Sequence, residues 1–327
     1  MYKFIFITDI HLADVGPSSR TDNYKEAIFS KLKQVFEFAI KHKVQDVICG
    51  GDIFHIPNVS DETFNQFTTL VKNYYIKFYY IIGNHDIRKE SIELAHKTKI
   101  GILEHVDCFR NLVKFPIINK HVFVCGNHYH KEDECKTIIK IPIKREKGKV
   151  NIAVLHQMIG KENLTINGEV KIVSYKNIEI YPQMDLILSG HYHPGFGIKR
   201  VTGLNGTMVY ANPCSLARIT IQDWALGVKP GFIYGTVANG RVEQIKRFFV
   251  SCSKKPFDIR KHIRHIKNEK LKQKFCEVLQ KFKESSFLFD SNLLKTKLDL
   301  LLSKPPKELE NKITKELIEE IWEAINE

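Results

Sequence analysis

Cysteines spaced for a structural zinc site or a redox motif are missing from this chain of 327 residues. Its seven cysteines (Cys49, Cys108, Cys125, Cys135, Cys214, Cys252 and Cys276) are odd in number and scattered, and none form a Cys-x-x-Cys pair. That excludes zinc ribbons and thioredoxin-like chemistry, gives no disulfide framework, and reads as a reducing, cytoplasmic setting. No stretch approaches the roughly 20 apolar residues of a membrane span, which excludes a membrane-embedded helix. There is no internal repeat and no low-complexity tract, so solenoids and linker-like chains are excluded as well. The apolar start, Met1 to Ile7, runs straight into Thr8-Asp9 without a basic leader or a small-residue cleavage site, and reads as a strand, not a signal peptide. Negative charge is scarce too. Fifty Lys and Arg against 37 Asp and Glu leave a net +13. Such a balance suits a polyanionic partner, such as nucleic acid or an acidic surface. A lysine-rich composition with a solvated surface would give the same number.

What is present is a strand–helix rhythm. A strand over 3–8 is followed by a helix from Tyr24 to His42, with Ile28, Leu32, Val35, Phe36 and Ala39 on one face and Asn23 with Glu26 as a capping box. A second strand over 46–49 precedes a helix capped by Ser60 that carries Phe64, Phe67, Leu70, Val71 and Tyr74, and a third strand spans 77–82. This β-α-β-α-β order predicts a largely parallel, buried sheet. The following portion is strand-rich, with candidates at 121–125, 150–155, 185–189, 197–201, 207–210, 231–237 and 242–250, and Asn239-Gly240 as a hairpin turn between the last two. Segments 144–149 and 161–170 read as exposed loops. The fold class is therefore α/β: two packed sheets with helices outside, followed after Val250 by a short helical module. Ser251-Cys252-Ser253-Lys254-Lys255-Pro256 reads as the linker, giving domains at 1–250 and 251–327.

Five short segments carry the chemistry: Asp9-Ile10-His11, Gly51-Asp52, Gly83-Asn84-His85-Asp86, His156, and Gly190-His191-Tyr192-His193. Each follows an apolar run. In an open α/β sheet the functional residues gather beyond the carboxyl ends of the strands, so one edge would collect all of them. Mixed Asp, Asn and His donors suit manganese, iron or zinc better than calcium or magnesium. The absence of cysteine among them argues against a structural zinc. A single histidine at a strand end is usually a surface or capping residue. Five segments in order, each in its proper local context, leave that reading little room.

The set resembles the calcineurin-like metallophosphoesterase superfamily, whose motifs run DxH, GD, GNH(D/E), H and GHxH, and the resemblance covers about 1–250. Gly51-Asp52-Ile53-Phe54-His55, His156-Gln157 and Asn212-Pro213-Cys214-Ser215-Leu216-Ala217-Arg218 resemble the DNA double-strand-break repair nucleases of the SbcD type. Cys214 stands where that group has glycine. The resemblance implies a two-sheet metallophosphoesterase sandwich holding two divalent ions, manganese foremost, with iron, zinc and magnesium as alternatives. By motif position, Asp9, His11, Asp52 and His193 would hold the first ion. Asp52, Asn84, His156 and His191 would hold the second, with Asp52 shared. Two such ions clamp a phosphodiester for hydrolysis. His85 would serve as general acid or phosphate stabiliser, Asp86 would orient it through a ring nitrogen, and His55 would help place the scissile phosphate.

The same resemblance implies a homodimer acting on DNA with an SbcC-type ABC ATPase bound through the C-terminal helices. It also implies exonuclease and single-strand endonuclease activity. The tail is short for both a DNA-capping domain and ATPase-binding helices, so the capping domain is expected to be reduced or absent. Its charge is segregated: 254–283 holds eleven Lys and Arg against three acids, and 284–327 holds six against ten. The second helix lies where family members dimerise, although its apolar face suits ordinary core equally well. A stand-alone phosphodiesterase or phosphoprotein phosphatase using the same two metals is the alternative enzyme. A catalytically inert scaffold would be expected to have lost ligands.

Overall fold

The computed structural model describes residues 1–141, 145–166, 169–203, 206–220 and 227–258. The chain divides into two compact units, Met1–Phe257 and Asp258–Glu327. Of the second, only Asp258 falls within the described residues, so the expected tail helices lie outside them.

The first unit opens with β1 (Tyr2–Ile7), α1 (Tyr24–His42), β2 (Asp46–Cys49), α2 (Asp61–Asn73), β3 (Lys77–Tyr80), α3 (Lys99–Leu103) and β4 (Phe109–Asn111). The strand-rich portion runs β5 (Ile117–Ile118), β6 (Val122–Asn127), β7 (Ile138–Lys140), β8 (Val150–Gln157), β9 (Ile159–Gly160), β10 (Leu164–Ile166), β11 (Glu169–Ser174) and β12 (Glu179–Tyr181). It closes with β13 (Leu186–His191), β14 (Gly197–Gly203), β15 (Gly206–Asn212), β16 (Gly231–Ala238) and β17 (Arg241–Phe249). Two six-stranded sheets result, ordered β17-β16-β1-β2-β3-β4 and β14-β15-β13-β8-β6-β5. In the first, β1 to β4 are parallel, while β16 and β17 add antiparallel strands. In the second, β15, β13, β8 and β6 are parallel, with antiparallel β14 and β5 at the edges.

Successive side chains of a strand point to opposite faces, and β1 uses both. Phe4 and Phe6 join Ile48, Val124, Ile152 and Leu188 between the sheets. Ile5 and Ile7 face outward onto α1 and α2. The predicted stripe of α1, from Ile28 to Ala39, is fully buried there, each large aliphatic stabilising by about 1.5–3 kcal/mol. Asn23 caps α1 by accepting from the Glu26 amide, and Ser60 caps α2 by accepting from Thr63. Phe64 and Phe67 of α2 are core, and Leu70 and Tyr74 pack against it, so that apolar face belongs to the unit's own interior.

Helices flank the first sheet, as expected. Among the described residues the outer face of the second carries short strands: Ile139 and Ile141 at β7 and Ile178 and Ile180 at β12 join Leu155, Ile187 and Tyr210. One expectation is corrected. Residues 161–170 are not simply loop, because β10 and β11 pair antiparallel. The alternation in Leu164-Thr165-Ile166 and Val170-Lys171-Ile172-Val173, either side of an Asn-Gly dipeptide, carried that hairpin signal. The equivalent dipeptide at Asn239-Gly240 does turn as expected, with φ of 53° and 69°.

A lysine is buried against this core. Lys31 is 2% exposed, and its Nζ donates to the Leu216 carbonyl at 2.9 Å. Burial, aided by nearby Arg20 and Arg218, lowers it to about 7. An unfolded lysine keeps its proton to about 10.4, so between pH 7 and that value the unfolded chain binds more protons. The contribution of Lys31 to stability then rises with pH across this window. In urea titrations from pH 7 to 9 we expect the wild-type chain to gain roughly 2 kcal/mol relative to Lys31→Met. Equal slopes in the two proteins would rule Lys31 out.

Candidate metal centre

The carboxyl ends of β1, β2, β3, β8 and β13 converge at one edge of the sandwich, so the donors come from both sheets. Asp9 and His11 follow β1, Asp52 follows β2, and Asn84 and His85 follow β3. His156 and His191 occupy the ends of β8 and β13 themselves, and His193 lies just beyond. Close approach requires the preceding glycines. A Cβ on Gly83 would lie 2.1 Å from Asp52 Oδ1, and one on Gly190 would lie 2.1 Å from Thr8 Oγ1. Backbone strain gathers here as well. Asp9, His11, Asp52 and His191 have φ of 52°, 47°, 52° and 74°, a left-handed region costly for residues with a Cβ and concentrated at functional sites.

Asp52 is the hub. Its Oδ2 lies 3.4 Å from His156 Nε2 and 3.6 Å from His11 Nε2, and its Oδ1 accepts from the His85 amide at 2.9 Å. On one side, His11 Nε2 stands 3.1 Å from His193 Nε2, which is 3.9 Å from Asp9 Oδ1. On the other, His156 Nε2 stands 3.1 Å from Asn84 Oδ1. Two groups of donors close enough to share an ion result: Asp9, His11 and His193, and Asp52, His156 and His191. His11, His55 and His85 form a third.

These residues fit divalent cations. The donor set is nitrogen and oxygen of borderline character. Asp52 Oδ2 is buried without a hydrogen-bond partner, which is costly unless a charge answers it. Burial holds His11 well below the usual histidine range, leaving it neutral as a ligand must be. Burial works to raise the Asp52 carboxyl, but His156, His11 and His85 together hold it well below the usual range. Burial opposes charge on His156, yet the Asp52 carboxylate lifts it to about 9, so a cation held there would take the place of its proton. The His156 ring is set by Nδ1, which donates to the Gly50 carbonyl at 2.7 Å and turns Nε2 toward Asp52.

His85 and His55 lie beside this hub, half-buried, their rings stacked at 5.3 Å. His85 Nδ1 donates to the His55 carbonyl at 2.9 Å. That corrects the expectation for Asp86, which does not touch the His85 ring. Asp86 is fully buried and accepts from the amides of Phe54 and Gly83, both at 2.9 Å, tying two site turns together. Burial and the nearby Asp52 push its carboxyl up to about 8. A short acidic side chain next to a histidine in sequence points away from it when the turn's own amides need an acceptor. In the Asn212–Arg218 segment, the Arg218 guanidinium donates to the Ser253 carbonyl. Cys214, where the resembling group has glycine, adopts a left-handed backbone with φ of 84°, and its thiol is held by the Pro194 carbonyl and Arg247.

Sequence reasoning missed two residues at this edge. Glu134 Oε1 lies 3.3 Å from His191 Nε2, and Tyr129 donates to Glu134 Oε2 at 3.0 Å. The signal was available: His128-Tyr129-His130-Lys131-Glu132-Asp133-Glu134 follows β6, which runs parallel to β8 and ends at the same edge.

No curated protein matches the chain. Among solved structures, a dimetal phosphatase from Danio rerio is similar at 11% identity and a TM-score of 0.46, over 77% of this chain and 99% of that one. A protein of Thermus thermophilus is similar at 12% identity and a TM-score of 0.44, over 76% and 99%. A family model, calcineurin-like phosphoesterase, matches residues 2–195. That span runs from β1 through both histidines of the Gly190–His193 segment and takes in every donor described above, so the chain belongs to the calcineurin-like phosphoesterases, a family of metal-dependent phosphoester hydrolases.

Proposed function

We propose that this hydrolase is a manganese-dependent DNA nuclease, with exonuclease and single-strand endonuclease activity. It would be the nuclease subunit of a cytoplasmic DNA repair and recombination complex. The observation that carries the reading is the Gly51–His55 turn. It supplies the shared carboxylate Asp52 and, three residues on, His55, stacked on His85 beside the metal donors. That pentad resembles the double-strand-break nucleases, and the net charge of +13 suits a polyanionic substrate. The partners follow from the same resemblance: a homodimer, bound through its C-terminal helices to an SbcC-type ABC ATPase.

Asp9, His11, Asp52 and His193 would hold one ion, and Asp52, Asn84, His156 and His191 the other. When bound, the ions supply Lewis-acid stabilisation of charge developing on a phosphoryl group. The rest is done by the chain. Gly50 fixes the tautomer of His156 through its carbonyl. The His55 carbonyl fixes that of His85, so His85 Nε2 is the nitrogen free to meet the scissile group. There it donates a proton to the leaving oxygen or a hydrogen bond to a phosphate oxygen. His55, next to it, helps place the phosphate.

A manganese-dependent assay on linear DNA, run beside nitrophenyl phosphoesters and cyclic nucleotides, tests this. DNA cleavage is expected. Robust turnover of the small esters with intact DNA would instead favour a stand-alone phosphodiesterase or phosphatase using the same centre.

A further inference from the structure

We infer that Glu134 is a positioning residue for the second metal position, acting through His191, with Tyr129 holding Glu134 in place. The inference rests on the two-metal reading above and adds a residue outside the five motif segments.

The contacts form a chain. Tyr129 is 1% exposed, and its amide donates to the Ile82 carbonyl at 2.9 Å, fastening it beside the end of β3. Its hydroxyl donates to Glu134 Oε2 at 3.0 Å, and Glu134 Oε1 lies 3.3 Å from His191 Nε2. The Tyr129 ring also packs on both histidines of the second position, 5.7 Å from His191 and 6.2 Å from His156. Glu134 follows a single tight turn at Lys131–Asp133 and has extended backbone, φ −60° and ψ 131°.

An ionised carboxylate only accepts hydrogen bonds. The His191 nitrogen facing it, Nε2, must therefore carry the proton, which leaves Nδ1 as the nitrogen with a lone pair for a cation. His191 also shares a donor group with Asp52 and His156. A histidine so placed, with its outer N–H on a carboxylate, has its tautomer and ring orientation fixed. The pair differs from a surface ion pair because the His191 side chain is only 11% exposed. His191 needs such support more than His156, whose outer nitrogen is already held by a backbone carbonyl. Glu134 and Tyr129 do for the second histidine what Gly50 does for the first.

The test is calorimetric titration of the full chain with Mn²⁺ alone, alongside thermal melts in EDTA. The wild-type chain should bind two ions. Glu134→Ala should still bind two, one of them about 10–100-fold more weakly, with its melting temperature in EDTA unchanged. Glu134→Gln should recover most of that loss, because its amide oxygen still accepts from Nε2–H. Should Glu134→Ala not fold, Tyr129→Phe carries the test, with a few-fold loss at the same ion expected. Unchanged affinities in all three variants would overturn the role of Glu134 while leaving the two-metal centre intact. Loss of one ion altogether in both Ala and Gln variants would overturn it differently, making Glu134 a direct ligand. A wild-type chain that binds fewer than two ions would overturn the underlying reading itself.

Discussion

Asp52→Asn is expected to cost phosphoester hydrolysis about three orders of magnitude or more and to weaken both bound ions together. Among the described residues, Asp52 is the only donor placed between the two groups. It lies 3.4 Å from His156 Nε2 on one side and 3.6 Å from His11 Nε2 on the other. Asparagine keeps the size and one oxygen. That oxygen can still accept from the His85 amide, as Oδ1 does now at 2.9 Å. Oδ2, which faces His156 and His11 without a hydrogen bond, is replaced by an amide NH₂ that repels a cation. If each metal contributes several kcal/mol of charge stabilisation, losing the shared ligand forfeits roughly 4–5 kcal/mol, or about 10³-fold in rate. Asn84→Ala provides the contrast, because Asn84 faces His156 alone and should weaken a single ion. Manganese titration beside steady-state kinetics distinguishes the two. An Asp52→Asn protein that keeps one site at wild-type affinity would show that the carboxylate is not shared.

His85→Ala should separate binding from chemistry. Both ions are expected to remain, while kcat falls roughly 10²- to 10⁴-fold, the usual range for a positioned proton donor. Retention follows because the hydrogen bond of His85 to Asp52 runs through its backbone amide, which alanine keeps. The loss follows because the ring is pre-set, its Nδ1 committed to the His55 carbonyl at 2.9 Å. Metal content by elemental analysis, with kcat on the same preparation, checks this. Wild-type turnover would remove His85 from the reaction, and loss of an ion would make it a ligand. Asp86→Asn, by contrast, should act on stability more than on turnover, since its carboxyl bonds two turn amides and not the ring.

Much of the centre was legible before folding because each donor is written next to the strand that carries it. A short apolar run followed by Gly-Asp or Gly-Asn-His states both the strand and its ending. Asn239-Gly240 and the capping residues Asn23 and Ser60 are equally local signals. What escaped depended on the fold. Asp86 looked like a partner for His85 because they are adjacent in sequence, but its position in the turn aims it at the amides of Gly83 and Phe54. Glu134 sits after a strand that carries no motif, and nothing local says that β6 lies beside β8. The covering of the second sheet by β7 and β12 was hidden in the same way, since these two strands pair at long range, Glu179 opposite Ile138.

The span of the centre along the chain also dictates when it can form. Asp9 receives the His191 amide, and His11 meets His193, each across 182 residues. Closing so long a loop is among the slowest steps of a fold and is driven by packing of the intervening sheets. A cation therefore has no complete site to nucleate on while the chain is emerging. A complete set of donors would exist only after the sandwich has closed, and ions held by it would then join residues of both sheets at one edge.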